Sequence, residues 1–126
     1  MKRTVAAFCI LLIVLLLCLA GIQTARQITT EAVASMEELK VLVSQEDFSA
    51  ALELIRSIRE SWVKKHRILC LYMSHDRLEK IDESMSAIIP LIQYKESGHI
   101  LSECDRMIAQ IQDLQESESP NWENIL

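Results

Sequence analysis

The sequence predicts an all-α protein in which an N-terminal transmembrane helix continues into an antiparallel up-down bundle of three or four helices. Three observations predict this class. The 126-residue chain has only two glycines and two prolines, and 5% of it is aromatic, whereas sheet proteins need more turn residues and more β-formers. One long run is wholly apolar. The rest carries apolar residues at alternating spacings of three and four, which is typical of amphipathic helices.

The apolar run Val5–Ile22 contains no charged residue. As a helix it spans roughly 27 Å at about 1.5 Å per residue, close to the hydrocarbon core of a bilayer. Lys2 and Arg3 precede the run and acidic residues follow it. The positive-inside rule therefore predicts a single-pass protein of the cell membrane, with a cytoplasmic N-terminus and an extracytoplasmic C-terminal domain.

The same run is also open to interpretation as a cleaved signal peptide. Cys18-Leu19-Ala20 offers a small-x-small cleavage site. The apolar region of a signal peptide is usually about 7–15 residues long, so the length of this run favours an uncleaved anchor. We expect residues 1–25 to be the anchor or signal peptide, residues 26–116 the extracytoplasmic helical bundle, and residues 117–126 a C-terminal tail.

The charge of the chain excludes one class of function. Eleven of the thirteen Lys and Arg residues, and all eighteen Asp and Glu residues, follow the apolar run, which gives this part a formal charge of −7. General nucleic-acid affinity depends on a basic surface, so no nucleic-acid partner is expected. Leu, Ile and Val are abundant enough to form a core, so this part should be folded.

The first two helices of the bundle are predicted from their apolar stripes. Nothing between Ile22 and Ile28 breaks a helix, so the first should continue the transmembrane segment as one rod. Its heptad-like stripe also makes a homo-oligomer possible. The second helix should run from about Asp47 to Met73, after a capping-type start. The two stripes are Ile28, Ala32, Ser35, Leu39 and Leu42, then Phe48, Leu52, Ile55, Ile58, Trp62, His66, Leu69 and Met73.

The third and fourth helices follow in the same way. Asp76, paired with Glu79, should cap the third helix. Pro90 should kink or shorten its last turns, and Gly98 should end it. The stripes are Leu78, Ile81, Met85, Ile88 and Ile92 in the third helix, and Leu101, Cys104, Ile108, Ile111 and Leu114 in the fourth.

His66, Cys70 and His75 are the residues that come closest to a metal-binding set. His66 and Cys70 are four apart and share a helical face. Zinc sites, however, need three or four converging ligands, and an exported cysteine is an unreliable thiolate. We therefore expect no metal site and no cofactor, with His66 at the edge of the core and His75 at a helix end.

The remaining residue types give no sign of an enzyme. There is no nucleophile turn with a Ser, His and Asp set, and glycine is too rare for a phosphate-binding loop. The carboxylate pair Asp82-Glu83 should lie on a solvated face.

An up-down topology separates Cys70 from Cys104 by roughly 15 Å along the bundle, so both should be free, mostly buried thiols.

Five basic residues cluster in the second half of the second helix, namely Arg56, Arg59, Lys64, Lys65 and Arg67. They should face either anionic lipid headgroups or the acidic fourth helix, and the fourth helix is slightly favoured.

The tail residues Trp122, Ile125 and Leu126 could cap the bundle, insert at the bilayer interface or bind a partner; capping is favoured. The candidate interaction or structural residues are Trp62, Lys64, Lys65, Arg67, His75, Trp122, Ile125 and Leu126.

Trp62, the Ser74-His75-Asp76 run with Leu78 and Ile81, and the Asn-x-x-Asn-Ile-Leu ending together resemble a family known as domain of unknown function 4363. The resemblance covers nearly the whole exported part. Its members look like short, single-anchor helical proteins of spore-forming Gram-positive bacteria. Ser74 departs from the pattern, since an acidic residue is more usual there, and the fourth helix is less charged. The resemblance implies an exported helical protein and supplies no catalytic residues.

These observations favour a non-enzymatic, membrane-anchored protein that binds or scaffolds another membrane protein. The alternative is an extracytoplasmic ligand-binding or sensory bundle. That alternative predicts an internal cavity lined by His66, Cys70 and neighbouring apolar residues.

Overall fold

The computed structural model describes residues 1–118, so the predictions for Trp122, Ile125 and Leu126 lie outside the described residues. The described part contains four helices and no strand: α1 (Lys2–Ser44), α2 (Phe48–Tyr72), α3 (His75–Gln93) and α4 (Ser97–Glu118). The predicted all-α class is confirmed. Connections of two or three residues reverse the chain each time, and each helix packs against its sequence neighbours while α4 also packs against α1. In this ring α2 and α4 lie diagonally opposite each other.

Helix α1 is one continuous helix of 43 residues, as predicted. Its N-terminal half is long and apolar enough to span a membrane. The rest of the chain buries none of its most apolar stretch of 18 residues. Its C-terminal half belongs to the core, where Met36 and Leu39 are fully buried. The predicted boundary after residue 25 therefore falls within one continuous helix, which the apolar segment and the bundle share.

The buried face of α1 differs from the predicted stripe in its second half. Met36 and Val43 are buried where Ser35 and Leu42 were expected, and those two are only half-buried. Because α1 packs against both α2 and α4, its buried face is centred one residue further along. This face is covered within the chain, so a homo-oligomer would need a different surface.

The other three helices supply the rest of a single core. All five residues predicted for α3 are buried, and four of the five in α4 are buried, together with Ile100 and Met107. In α2 the buried residues are Ala51, Ile55, Ile58, Trp62 and Leu69. Apolar burial of this kind is the main favourable contribution to folding.

Two glutamines of α4 form hydrogen bonds with the buried polar side chains of Thr29 and Ser84. The Gln115 amide donates a hydrogen bond to Thr29 Oγ1 of α1 at 2.6 Å, and the Ser84 hydroxyl of α3 donates to Gln110 Oε1 at 3.1 Å. Thr29 and Ser84 are almost completely buried. Since a buried polar group is costly without a partner, these two contacts favour one register of α4 against both neighbours.

The two three-residue turns have the same backbone geometry. Glu46 after α1 and Lys95 after α3 have φ of 59° and 57°. After α3, the Glu96 N–H donates to Leu91 O at 3.1 Å and the Lys95 N–H to Ile92 O at 3.1 Å; α1 ends in the same way. This is the Schellman arrangement, which usually places glycine at the left-handed position.

Three predicted helix boundaries have different outcomes. The Asp47 side chain caps α2 by accepting a hydrogen bond from the Ala50 N–H, as expected. The prediction that Gly98 ends the third helix is wrong, because the Schellman turn already ends α3 at Gln93 and Gly98 lies in the first turn of α4. The prediction that Asp76 caps α3 is wrong, because the helix already begins at His75 and Ser74 is its N-cap. Pro90 lies within the last turn of α3.

Candidate functional site at the anchor end of the bundle

The end of the bundle next to the apolar half of α1 is called the anchor end. It contains the end of α2, the start of α3 and the end of α4, because α2 and α4 run back towards the apolar segment. The Tyr72 ring lies against Gly21 so closely that a Cβ atom at Gly21 would overlap it. Glycine at this position therefore lets the end of α2 close onto α1.

Three potential metal ligands meet at the anchor end. One ligand atom each from His66, Cys70 and His75 lies within 4.8 Å of the others. His66 and Cys70 are one turn apart on α2, and the extended residues Met73 and Ser74 bring His75 back across them. The two imidazole rings meet edge to face, with centroids 6.3 Å apart. The sequence identified these residues but not their convergence.

Asp82 is the residue of this site that sequence reasoning missed. One carboxylate oxygen, Oδ2, lies 3.5 Å from His66 Nδ1. The other, Oδ1, accepts a hydrogen bond from the Trp62 indole N–H at 2.5 Å. Asp82 was expected on a solvated face with Glu83. A usable signal existed, because Asp82 follows His75 by two helical turns and so shares its face of α3.

The Trp62 side chain is part of the hydrophobic core. It is only 3% exposed. Its indole N–H reaches the edge of the core, where the Asp82 carboxylate accepts a hydrogen bond from it. Buried Trp side chains usually satisfy their N–H in this way.

The thiols of the bundle differ in exposure. All four cysteines of the chain are free; Cys104 is buried, but Cys70 is exposed. The prediction of a mostly buried Cys70 is wrong, because Leu69 occupies the core-facing position next to it. Burial, followed by the neighbouring Asp105 carboxylate, raises the pKa of the Cys104 thiol to about 12.

The basic residues of α2 do not face α4. Lys64 pairs with Glu60 of its own helix and Lys65 with Glu31 of α1, both at 3.3 Å. The prediction that this cluster faces the acidic fourth helix is wrong, because α4 is diagonal to α2. Acidic residues of α4 pair instead with its neighbours: Asp105 with Lys40 at 2.6 Å, and Asp113 with Arg77 at 2.7 Å. The Asp105 hydrogen bond raises the pKa of Lys40.

The solvent-facing side of α2 combines apolar and basic residues. Val63 is 65% exposed and Leu71 is 76% exposed, with Ile68 between them. Arg56, Arg59, Lys64 and Arg67 are exposed on the same side. We call this surface, defined by these seven residues, the outer face of α2. Within the described residues, no ion pair joins its basic members to another helix.

A cleft of about 250 Å³ opens at the anchor end. Its lining comes from α1, α4 and the end of α2: Ile22, Ala25, Arg26, Leu71, Tyr72, Met73 and Gln115. Neither His66 nor Cys70 lines it, in contrast to the cavity that the ligand-binding alternative predicts.

The fold and this site define a class of protein: a four-helix bundle built onto a helix long and apolar enough to span a membrane. The model of a family described as "Domain of unknown function (DUF4363)" matches residues 19–125, and the chain belongs to this family. The resemblance inferred from Trp62, His75 and the C-terminal residues is confirmed. Neither a curated protein nor a solved structure matches the chain.

Proposed function

We propose that this protein is a non-enzymatic, single-pass membrane protein whose helical bundle binds and positions another membrane protein. The observation that carries this proposal is the continuity of α1, which passes without a break from an unburied apolar segment into the core of the bundle. A helix shared in this way couples the bundle rigidly to its anchor. The bundle would then stand at a fixed height and orientation above the bilayer.

The proposed orientation places the bundle outside the cytoplasm. Its support is the position of Lys2 and Arg3 directly before the apolar segment, whereas the first basic residue after the segment is Arg26. Basic flanks favour the cytoplasmic side of a membrane. The length of the apolar run Val5–Ile22 supports an uncleaved anchor, since the apolar region of a signal peptide is usually about 7–15 residues long.

The outer face of α2 is the proposed contact surface for the partner. Leu71, 76% exposed, lies at the anchor end of α2 and therefore near the bilayer in this orientation. Exposed apolar residues beside arginines are characteristic of protein interfaces. The partner should present apolar and acidic side chains near the membrane surface.

Site-specific photo-crosslinking in native membranes tests this proposal. A photoreactive residue at Leu71 should crosslink to one recurrent membrane protein. Gln112 is the matched control, because it is exposed near the end of α4, at the same end of the bundle but on the helix diagonal to α2. Crosslinks from Leu71 only to lipid or to the protein itself would contradict the scaffold function, and equal crosslinking of Gln112 to the same protein would contradict the outer face of α2 as the contact surface.

The fate of the anchor is tested separately. The mature protein should keep residues 1–20 by intact-mass measurement and should remain in the membrane fraction after alkaline extraction. A mature N-terminus after Ala20, with release into the soluble exported fraction, would contradict the anchored function and favour a signal peptide.

A second candidate function is an extracytoplasmic ligand-binding or sensory bundle. The cleft at the anchor end supports it, although 250 Å³ is slightly below the volume of about 300–1,000 Å³ usual for small-molecule sites. A small apolar fluorescent probe should then bind once per chain, and Met73→Lys should abolish its binding. Probe binding that is unaffected by Met73→Lys would remove this candidate.

A further inference from the structure

The cluster of His66, Cys70 and His75 has the composition of a transition-metal site. Two imidazoles and a thiol, all within 4.8 Å of one another, come from two helices across a two-residue connection. Imidazole and thiolate ligands together select zinc and related metals over magnesium or calcium. We propose that these three residues bind one Zn²⁺ ion, with Asp82 positioning His66 from outside the ligand set.

The spacing of the ligand atoms is compatible with this ion. Bonds of about 2.0–2.1 Å to nitrogen and about 2.3 Å to sulfur in a tetrahedral site place two nitrogens and one sulfur about 3.3–3.6 Å apart. The present separations are at most 4.8 Å, so closure requires shifts of about 1 Å. Cys70 and His75 are exposed and His66 is half-buried, which leaves the first two side chains free to move. On binding, the Cys70 thiol releases its proton to solvent and the thiolate binds the metal.

The position of Asp82 beside His66 is further support for a metal site, independent of the three ligands. A histidine that binds a metal usually donates its other ring N–H to a carboxylate or carbonyl, which fixes the tautomer and the ring orientation. Asp82 Oδ2 lies 3.5 Å from His66 Nδ1, so a small shift of the ring would form this hydrogen bond and leave Nε2 of His66 for the metal. The Trp62 indole N–H holds Asp82 from the other side. The carboxylate is thus itself oriented by a residue of the core.

Three protein ligands leave the fourth tetrahedral position open. Structural zinc sites are usually closed by four protein ligands, whereas an open position admits water or a further ligand. The site lies at the anchor end, where the metal would tie the end of α2 to the start of α3. A metal bound here would hold together the hairpin that carries the outer face of α2.

The test uses the full chain in detergent, purified without a polyhistidine tag and kept reduced with a phosphine. Zinc is titrated in competition with a chromogenic chelator, and Co²⁺ is used as a spectroscopic probe of thiolate binding. We expect one Zn²⁺ per chain, a thiolate-to-cobalt charge-transfer band, and a higher thermal unfolding midpoint with zinc. Cys70→Ser and His75→Ala should each weaken zinc binding at least about 100-fold, and Asp82→Asn about 10- to 100-fold.

The chain provides matched controls for both ligand types. His99 is an exposed histidine on α4, outside the cluster, and Cys104 is a buried cysteine. Zinc affinity should be unchanged in His99→Ala and Cys104→Ala. Circular dichroism should show the same helix content in Cys70→Ser and His75→Ala as in the unaltered chain, since both residues are exposed. Absence of zinc binding, unchanged affinity in Cys70→Ser or His75→Ala, or an equal loss in His99→Ala would overturn the proposal.

Discussion

Trp62 and Asp82 join α2 to α3 through a hydrogen bond of 2.5 Å between the indole N–H and a carboxylate oxygen. The two partners differ in environment, because Trp62 is 3% exposed whereas Asp82 is half-buried. The indole N–H therefore depends on Asp82 for its hydrogen bond, while the second carboxylate oxygen remains available to His66. One residue thus serves both the core and the candidate metal site.

Removal of this carboxylate should destabilise the bundle. Asp82→Ala leaves the buried indole N–H without its acceptor, which should lower the free energy of unfolding by about 1–3 kcal/mol. Asp82→Asn keeps an acceptor oxygen and should cost less. Chemical denaturation of the full chain in detergent measures both. Equal stability of Asp82→Ala and the unaltered chain would show that water replaces the carboxylate at no cost.

The two Schellman turns should be improved by glycine. Glu46 and Lys95 adopt φ near +60°, a region that residues with a Cβ atom enter at a cost and glycine does not. Glu46→Gly and Lys95→Gly should each raise the free energy of unfolding by roughly 0.5–1 kcal/mol. Gln45→Gly is the control, because Gln45 has φ of −84° and should gain nothing. A stabilisation in Gln45→Gly as large as in Glu46→Gly would contradict the explanation by backbone strain.

These turns also show why sequence predicts some boundaries and not others. Glycine normally marks the left-handed position, so Gly98 was the natural candidate for the end of α3. The chain instead uses Lys95, and no residue-type signal identifies a lysine in that position. The α3 stripe, in contrast, was fully predictable, because its five buried apolar residues are separated by three or four positions.

The candidate site was predictable only in part, because its geometry depends on two helices. His66 and Cys70 are related by one turn of a single helix, which sequence spacing identifies. The approach of His75 and Asp82 depends on the length of the connection and on the register of α3 against α2. The alternation that defines each helix does not fix that register. The exposure of Cys70 likewise depends on which side of α2 its neighbours cover.

The two thiols of the bundle should react at very different rates. Cys70 is exposed, whereas Cys104 is buried with a pKa raised to about 12. Since the thiolate is the nucleophile, maleimide at neutral pH should label Cys70 rapidly and leave Cys104 unlabelled until the protein unfolds. Peptide mass spectrometry distinguishes the two sites. Rapid labelling of Cys104 in the folded protein would contradict the buried position.

The raised pKa of Cys104 also predicts a dependence of stability on pH. Its ordinary value is 9.0 and its folded value about 12, so between these values the folded state holds a proton that the unfolded state has lost. The free energy of unfolding should therefore fall as pH rises from about 9 to about 12. The variant Cys104→Ala should lack this contribution. Identical pH dependence of unfolding in the variant and the unaltered chain would contradict the assignment.

Gly21 and Tyr72 should be energetically coupled. Alanine normally stabilises a helix by about 1 kcal/mol relative to glycine, but a Cβ atom at Gly21 would overlap the Tyr72 ring. Gly21→Ala should therefore give no gain in the unaltered chain and should recover roughly 1 kcal/mol in a Tyr72→Ala background. Measurement of unfolding for the two single variants and the double variant in detergent gives the coupling free energy. Additive effects would show that the Tyr72 ring moves aside freely, and that the end of α2 is not held against α1 by this contact.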